Sequence, residues 1–185
     1  YGLLSTRAAK VTDETWNNAD GTSSRGWLLR GAEGAPAVLL LHKYGADRSW
    51  VLNLGVKLNE ATDFTVLMPD MRGHGEMPLT PVTSFGGRES QDVQSALNFL
   101  KSLKSEGGNA IVGQSFGLYG VELGAFAGIS AAAKEVSFKA IVADSVPYGS
   151  NAILRDAIAK RYPFMSSVTS RIAELGTIGY FFDGT

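Results

Sequence analysis

The sequence predicts an α/β fold built on a doubly wound, mostly parallel sheet with an N-terminal antiparallel hairpin. Apolar runs of strand length are typical of strands that are buried on both faces, as in parallel sheets. Stretches with helical spacing separate these runs, and repeated strand–helix–strand alternation favours right-handed parallel connections. The apolar runs cover residues 37–41, 64–68, 110–112 and 138–143.

The hairpin is predicted ahead of the first apolar run. Val11–Trp16 and Ser24–Arg30 are rich in β-branched and aromatic residues, and they flank the turn-forming segment Asn17–Gly21. The two segments therefore read as neighbouring antiparallel strands at one side of the sheet.

Helices are predicted between and after the apolar runs. Residues 89–104 give the best pattern, because their apolar side chains form one stripe at helical spacing. A shorter helix is expected after Arg48. Residues 116–133 are almost all small or apolar, which predicts a helix buried against the sheet. Residues 150–161 and 165–175 predict two further helices.

Composition excludes several classes of function. The chain has 185 residues, 44% of them hydrophobic and 19% charged, with a formal net charge of −1. This balance gives no reason to expect nucleic acid or an anionic membrane surface as partner. No apolar run has the length of a membrane span. The absence of cysteine excludes disulfides and thiolate metal sites, and no group of residues has metal-ligand spacing, so no cofactor is expected. The compartment stays open.

One glycine-flanked serine is the strongest candidate for chemistry. Gly113–Gly117 has the pattern Gly-x-Ser-x-Gly, directly after the apolar run 110–112 and before the helix predicted from residue 116. This context predicts a nucleophile elbow, a sharp strand-to-helix turn that presents a hydroxyl group to a ligand. Ser115 is therefore the predicted nucleophile.

Two further motifs follow apolar runs. His42–Gly45 follows the first run, and Asp70–Gly75, with the sequence Asp-Met-Arg-Gly-His-Gly, follows the second. Ligands of open α/β sheets bind beyond the carboxyl ends of the strands. Together with the predicted elbow, and with Asp92 at the start of the next helix, these motifs resemble the α/β-hydrolase family over roughly residues 8 to 150.

The resemblance implies a serine hydrolase that cleaves a small ester or related acyl substrate through an acyl-enzyme on Ser115. The oxyanion would be bound by two backbone N–H groups, those of Phe116 and Tyr44. Lys43 stands where the family usually has glycine. Its side chain either points into solvent or reaches an anionic group of the substrate. Tyr148 is a candidate for the mouth of the pocket.

The remaining catalytic groups are not evident in the chain. Its two histidines, His42 and His74, both precede Ser115, and the resemblance gives both of them structural roles. Asp144, after the last apolar run, is a candidate acid; the usual position in the family is one strand later. We therefore expect residues 1–149 to be the N-terminal part of a longer hydrolase core and residues 150–185 to be a helical cap-like segment.

Two expectations follow from an incomplete core. The strand at residues 138–143 should form an apolar sheet edge, which a second chain or further residues would cover. Two alternatives to a serine hydrolase also remain open. A non-catalytic hydrolase-like module that binds a ligand or partner, or a lyase or peroxidase on the same scaffold, would show the same motifs.

Overall fold

A computed structural model describes residues 9–105, 107–163 and 166–182. Six strands, one 3-10 turn and five helices follow one another in these ranges. They are β1 (Val11–Asn17), β2 (Ser23–Leu29), β3 (Ala35–Leu41), the 3-10 turn (Arg48–Val51), α1 (Leu52–Thr62), β4 (Thr65–Pro69), α2 (Glu89–Ser102), β5 (Val112–Val121), α3 (Leu123–Ala132), β6 (Phe138–Asp144), α4 (Ser150–Arg161) and α5 (Ser166–Phe182).

The strands form one mixed sheet in the order β1-β2-β4-β3-β5-β6. β1 and β2 are antiparallel neighbours, as the hairpin pattern predicts, and β2 is also antiparallel to β4. The pairs β4–β3, β3–β5 and β5–β6 are parallel. The predicted fold class is therefore confirmed. The carboxyl ends of β3, β4, β5 and β6 lie at one edge of the sheet, because these strands run in the same direction.

The core lies on both faces of the central strands. All five residues of β4 are buried, and the side chains of Leu39, Leu40 and Leu41 in β3 are at most 1% exposed. The apolar stripe of α2 is buried as well, through Val93 and Leu97. β3 and β4 are therefore buried on both faces, which is the property that their apolar runs predict.

The helix predicted to begin at residue 116 is wrong in its first third. Residues 116–121 belong to β5, and α3 begins only at Leu123. Six positions of β5 from Phe116 to Val121 pair with β6, and five from Phe116 to Gly120 pair with β3. Small and apolar side chains suit a central strand as well as a buried helix, so tertiary pairing decides the outcome.

β6 is an edge strand, as predicted. Its residues from Lys139 to Asp144 are exposed, including Ile141 at 44% and Val142 at 58%. Apolar side chains on an open sheet edge are a risk for association with other chains.

A second compact unit begins at Pro147, near the predicted boundary at residue 149. It holds α4 and α5, which an ion pair between Arg155 and Glu174 connects. Residues 164–165 and 183–185 of the predicted cap-like segment lie outside the described residues. In the described ranges no helix has the length and apolar character to span a lipid bilayer.

Candidate active site

The candidate site is the sheet edge where the parallel strands end. His42 follows β3, Asp70 follows β4 and Glu122 follows β5. The β5–β6 ladder brings Asp144, at the end of β6, opposite Val121. The N–H group of Glu122 donates to the backbone oxygen of Asp144 at 3.0 Å.

Ser115 does not lie at this edge, so the elbow predicted at Gly113–Gly117 is wrong. The segment belongs to β5, and Ser115 lies near the strand's amino end, in a stretch where the pairing with β3 is irregular. Six residues of strand lie between Ser115 and Glu122, which corresponds to about 23 Å at strand rise. Phe116 is buried opposite Ala37 and Phe138 in the two ladders. This position gives no support to the predicted oxyanion role of its N–H group, which stays a prediction.

The sharp strand-to-helix turn lies at Glu122 instead. Its backbone has φ 47° and ψ −107°, outside the regions that L-residues usually adopt, and it directly precedes α3. This is the strained conformation expected at the centre of a nucleophile elbow. Glu122 therefore occupies the position for which Ser115 was predicted.

Two glycines make this turn sterically possible. A Cβ atom on Gly120 would lie 2.6 Å from the backbone nitrogen of Ala125, and one on Gly124 would lie 2.6 Å from the Cβ atom of Leu41. Gly120–Gly124 thus repeats the glycine spacing of the elbow pattern, with glutamate at its centre. The sequence carries this signal, but a search restricted to serine passes over it.

The turn after β3 is organised by a neutral histidine. His42 is fully buried. Its Nδ1–H group donates to the backbone oxygen of Lys43 at 2.8 Å, and its Nε2 accepts from the N–H group of Met71 at 3.0 Å. Burial is the main cause that lowers its pKa from 6.5 to about 4. Both ring nitrogens are occupied, so His42 joins the two turns and is not a free base, in agreement with its predicted structural role.

Acid should therefore destabilise the fold through His42. The folded protein holds the His42 ring neutral. The contribution of this ring to the free energy of unfolding is therefore complete above pH 6.5, and it is lost as the pH falls towards about 4. With about 1.4 kcal/mol for each pKa unit, the loss is roughly 3 kcal/mol. Urea unfolding between pH 4 and pH 7 measures it. His42→Gln should lower stability at pH 7 and flatten this slope; an equal slope in both proteins would contradict the assignment.

The turn after β4 is held by charge. The guanidinium group of Arg72 makes paired hydrogen bonds to both carboxylate oxygens of Asp92 and a third, of 3.1 Å, to Asp20 in the hairpin turn. His74 is buried, and its Nδ1–H group donates to the backbone oxygen of Arg72 at 2.8 Å. The ring of Tyr44 lies edge-on to His74 at 5.1 Å. The turn is therefore a rigid support for the edge.

The other predicted site residues have mixed outcomes. Asp144 adjoins Glu122 through the backbone, while its Oδ1 atom accepts from the Ser145 hydroxyl at 2.9 Å. The Nζ atom of Lys43 lies 5.5 Å from the centre of the Trp50 ring, so this cation covers an aromatic face. Tyr148 is fully exposed and belongs to the second unit. The acid role of Asp144 and the pocket roles of Lys43 and Tyr148 stay predictions.

No group of three or more histidine, aspartate or glutamate side chains with metal-binding geometry occurs among the described residues.

No family model and no curated protein sequence matches this chain. Its backbone is similar to an esterase from Pyrococcus furiosus, with 22% identity, a TM-score of 0.67 and coverage of 83% of this chain. An α/β hydrolase named GrgF from Penicillium sp. sh18 gives 20% identity, a TM-score of 0.64 and 90% coverage. The chain has the α/β-hydrolase fold. It spans 58% of the length of the esterase and 55% of GrgF.

An epoxide hydrolase from Vigna radiata is a third similar structure. It shares 20% identity with this chain, at a TM-score of 0.55, and covers 75% of it; the chain spans 39% of that protein. Identities in this range establish the common fold and leave the chemistry to the residues at the strand ends.

Proposed function

We propose that this chain carries the reacting residue of a hydrolase active site, and that Glu122 is this residue. The observation that carries the proposal is the strained turn Gly120–Gly124, with a carboxylate in place of the serine hydroxyl. Glu122 also precedes the first turn of α3, where unpaired backbone N–H groups and the helix dipole favour a negative charge.

A carboxylate at this position favours a different substrate class from the predicted acyl ester. Attack by Glu122 on an acyl carbonyl would give a high-energy anhydride. Attack on a saturated carbon gives an ordinary ester, so carboxylates are effective covalent catalysts at such carbons. The similarity of fold to an epoxide hydrolase is consistent with this class. We therefore propose a strained ether or another alkyl electrophile as substrate.

The reaction has two steps. In the first, an oxygen of Glu122 forms a bond to the substrate carbon, and the leaving group departs with the electron pair of the broken bond. In the second, water adds to the carbonyl carbon of the resulting ester and the bond from that carbon to the alkyl oxygen breaks, which releases an alcohol, restores the carboxylate and yields one proton that neutralises the leaving group. The negative charge of the second step develops on a Glu122 oxygen. The N–H groups of Leu123 and Tyr44 are the proposed donors to it.

Two measurements test this function on the full-length protein. It should open epoxides or displace alkyl leaving groups faster than it cleaves matched carboxylic esters. A fluorophosphonate probe, which phosphonylates activated serines, should leave Ser115 unlabelled. As a matched control, Ser115→Ala should keep full activity, because this residue lies near the opposite end of β5. Labelling at Ser115 together with ester hydrolysis would contradict the proposal.

A non-catalytic binding module is the second candidate. The specific observation in its favour is that the chain's two histidines are both buried and engaged in hydrogen bonds. Such a module needs no base to activate water. It predicts that the full-length protein turns over neither substrate class, while Glu122→Gln still changes the affinity for a ligand at the sheet edge.

A further inference from the structure

A loop between the two sides of the candidate site is organised by one buried carboxylate. Glu89, at the start of α2, is completely buried. Its Oε1 atom accepts from the Thr83 hydroxyl at 2.6 Å and from the Ser84 N–H group at 2.8 Å. Its Oε2 atom accepts from the Gly86 N–H group at 2.9 Å and from the Ser84 hydroxyl. Four donors thus fix residues 83–86 around one side chain.

The loop holds an aromatic side chain in an unfavourable backbone conformation. Phe85 has φ 53°, which is uncommon for any residue other than glycine. Its ring stacks on the ring of Tyr44 at 5.7 Å and 26°. Tyr44 is also the proposed donor of the turn after β3. Strained residues of this kind persist where the surroundings fix them, and they concentrate at functional sites.

The same loop also contacts the other side of the site. Gly86 lies so close to Phe126 of α3 that a Cβ atom on it would be 2.2 Å from the Phe126 ring. The N–H group of Phe126 donates to the backbone oxygen of Glu122 at 2.9 Å. Phe85 therefore contacts the turn that contains Tyr44. Its neighbour Gly86 contacts Phe126, in the first helical turn after Glu122.

From these contacts we infer that Phe85 is a positioning residue, held by Glu89, that fixes the Tyr44 turn relative to the first turn of α3. The functional meaning rests on the proposed function, in which Tyr44 and Leu123 donate to the same developing charge. Two donors on separate elements act together only when their spacing is fixed before the reaction. One loop that contacts both elements supplies this constraint.

Amide hydrogen exchange on the full-length protein tests the inference without an enzymatic assay. Phe85→Ala should raise exchange in residues 42–46 and 122–127 by roughly fivefold to tenfold, the range that loss of one aromatic pair corresponds to. Exchange in the β1–β2 hairpin should stay unchanged. Phe85→Tyr, which keeps the ring, should restore the wild-type pattern.

A second aromatic stack provides the matched control. The rings of Trp16 and Phe99 stack at 4.9 Å and 17°, away from both turns. Phe99→Ala should therefore leave residues 42–46 and 122–127 at wild-type exchange. The inference is overturned if Phe85→Ala leaves either segment unchanged, or raises both no more than Phe99→Ala does.

Kinetics separate positioning from stability. Phe85→Gly relieves the backbone strain and should melt above Phe85→Ala, yet both should lose kcat by about tenfold with KM nearly unchanged. An active wild-type enzyme whose kcat survives both changes overturns the positioning role. A wild-type protein without turnover overturns the proposed function instead, and the exchange experiment still decides whether the loop fixes the two turns.

Discussion

Glu122→Gln should abolish hydrolysis by the full-length protein, with a loss of at least about 10⁴-fold in kcat, or about 5 kcal/mol of transition-state stabilisation. The amide has nearly the shape of the carboxylate but cannot form the ester intermediate. The folded structure should persist, because the turn depends on the backbone of Glu122 and on Gly120 and Gly124. Steady-state kinetics with circular dichroism as a folding check makes the measurement.

Two further changes at this position separate chemistry from structure. Glu122→Asp withdraws the carboxylate by one methylene group and should reduce kcat by about 10²-fold, the typical cost of a displacement near 1 Å. Glu122→Gly removes the backbone strain at φ 47° and should raise the free energy of unfolding by about 1 kcal/mol while eliminating activity. If Glu122→Gly destabilises the protein instead, the strained turn is not the conformation in solution.

Asp92→Ala should produce the largest loss of stability, about 3–5 kcal/mol in the free energy of unfolding. The side chains of Arg72 and Asp92 are 2% and 9% exposed, and two hydrogen bonds join them. Removing the carboxylate leaves a buried guanidinium group with only its bond to Asp20, and an uncompensated buried charge is costly. Urea unfolding at neutral pH measures the loss.

An arginine–aspartate pair whose carboxylate is exposed gives the matched control, since its arginine also contacts Asp70. Arg48 contacts Asp13 at 3.2 Å, and the Asp13 side chain is 61% exposed. Asp13→Ala should therefore change stability by no more than about 1 kcal/mol. The double change Arg72→Met with Asp92→Leu should recover part of the loss, because it removes both buried charges. Equal effects of Asp13→Ala and Asp92→Ala would contradict the importance of burial.

The fold could be predicted from the sequence because most of its strands have a clear hydrophobic pattern. β3 and β4 are buried on both faces and read as apolar runs, and the hairpin carries a clear turn segment. The carboxyl end of β5 could not be predicted in this way. Gly117 to Val121 is compatible with helix or strand, and its pairing with β3 and β6 decides between them.

The candidate site could be predicted only in part, for a related reason. The positions of His42 and Asp70 directly after β3 and β4 were predicted correctly, since both motifs follow well-defined strands. The turn was predicted at Gly113–Gly117, around Ser115, because the predicted strand ended too early; the segment belongs to β5. The glycine spacing of Gly120–Gly124 is visible in the sequence, but the backbone conformation of Glu122 and the close approach of Gly124 to Leu41 are tertiary features.

A single turnover in ¹⁸O-labelled water tests most directly whether Glu122 is the reacting group. Excess full-length protein is mixed with an epoxide or alkyl substrate and then digested. The mass of the peptide that contains Glu122 is measured by mass spectrometry. Water that attacks the ester carbonyl leaves its oxygen in the carboxylate, so the account predicts ¹⁸O in this peptide and none in the first alcohol released. The label in the alcohol, with the Glu122 peptide unchanged, would contradict it.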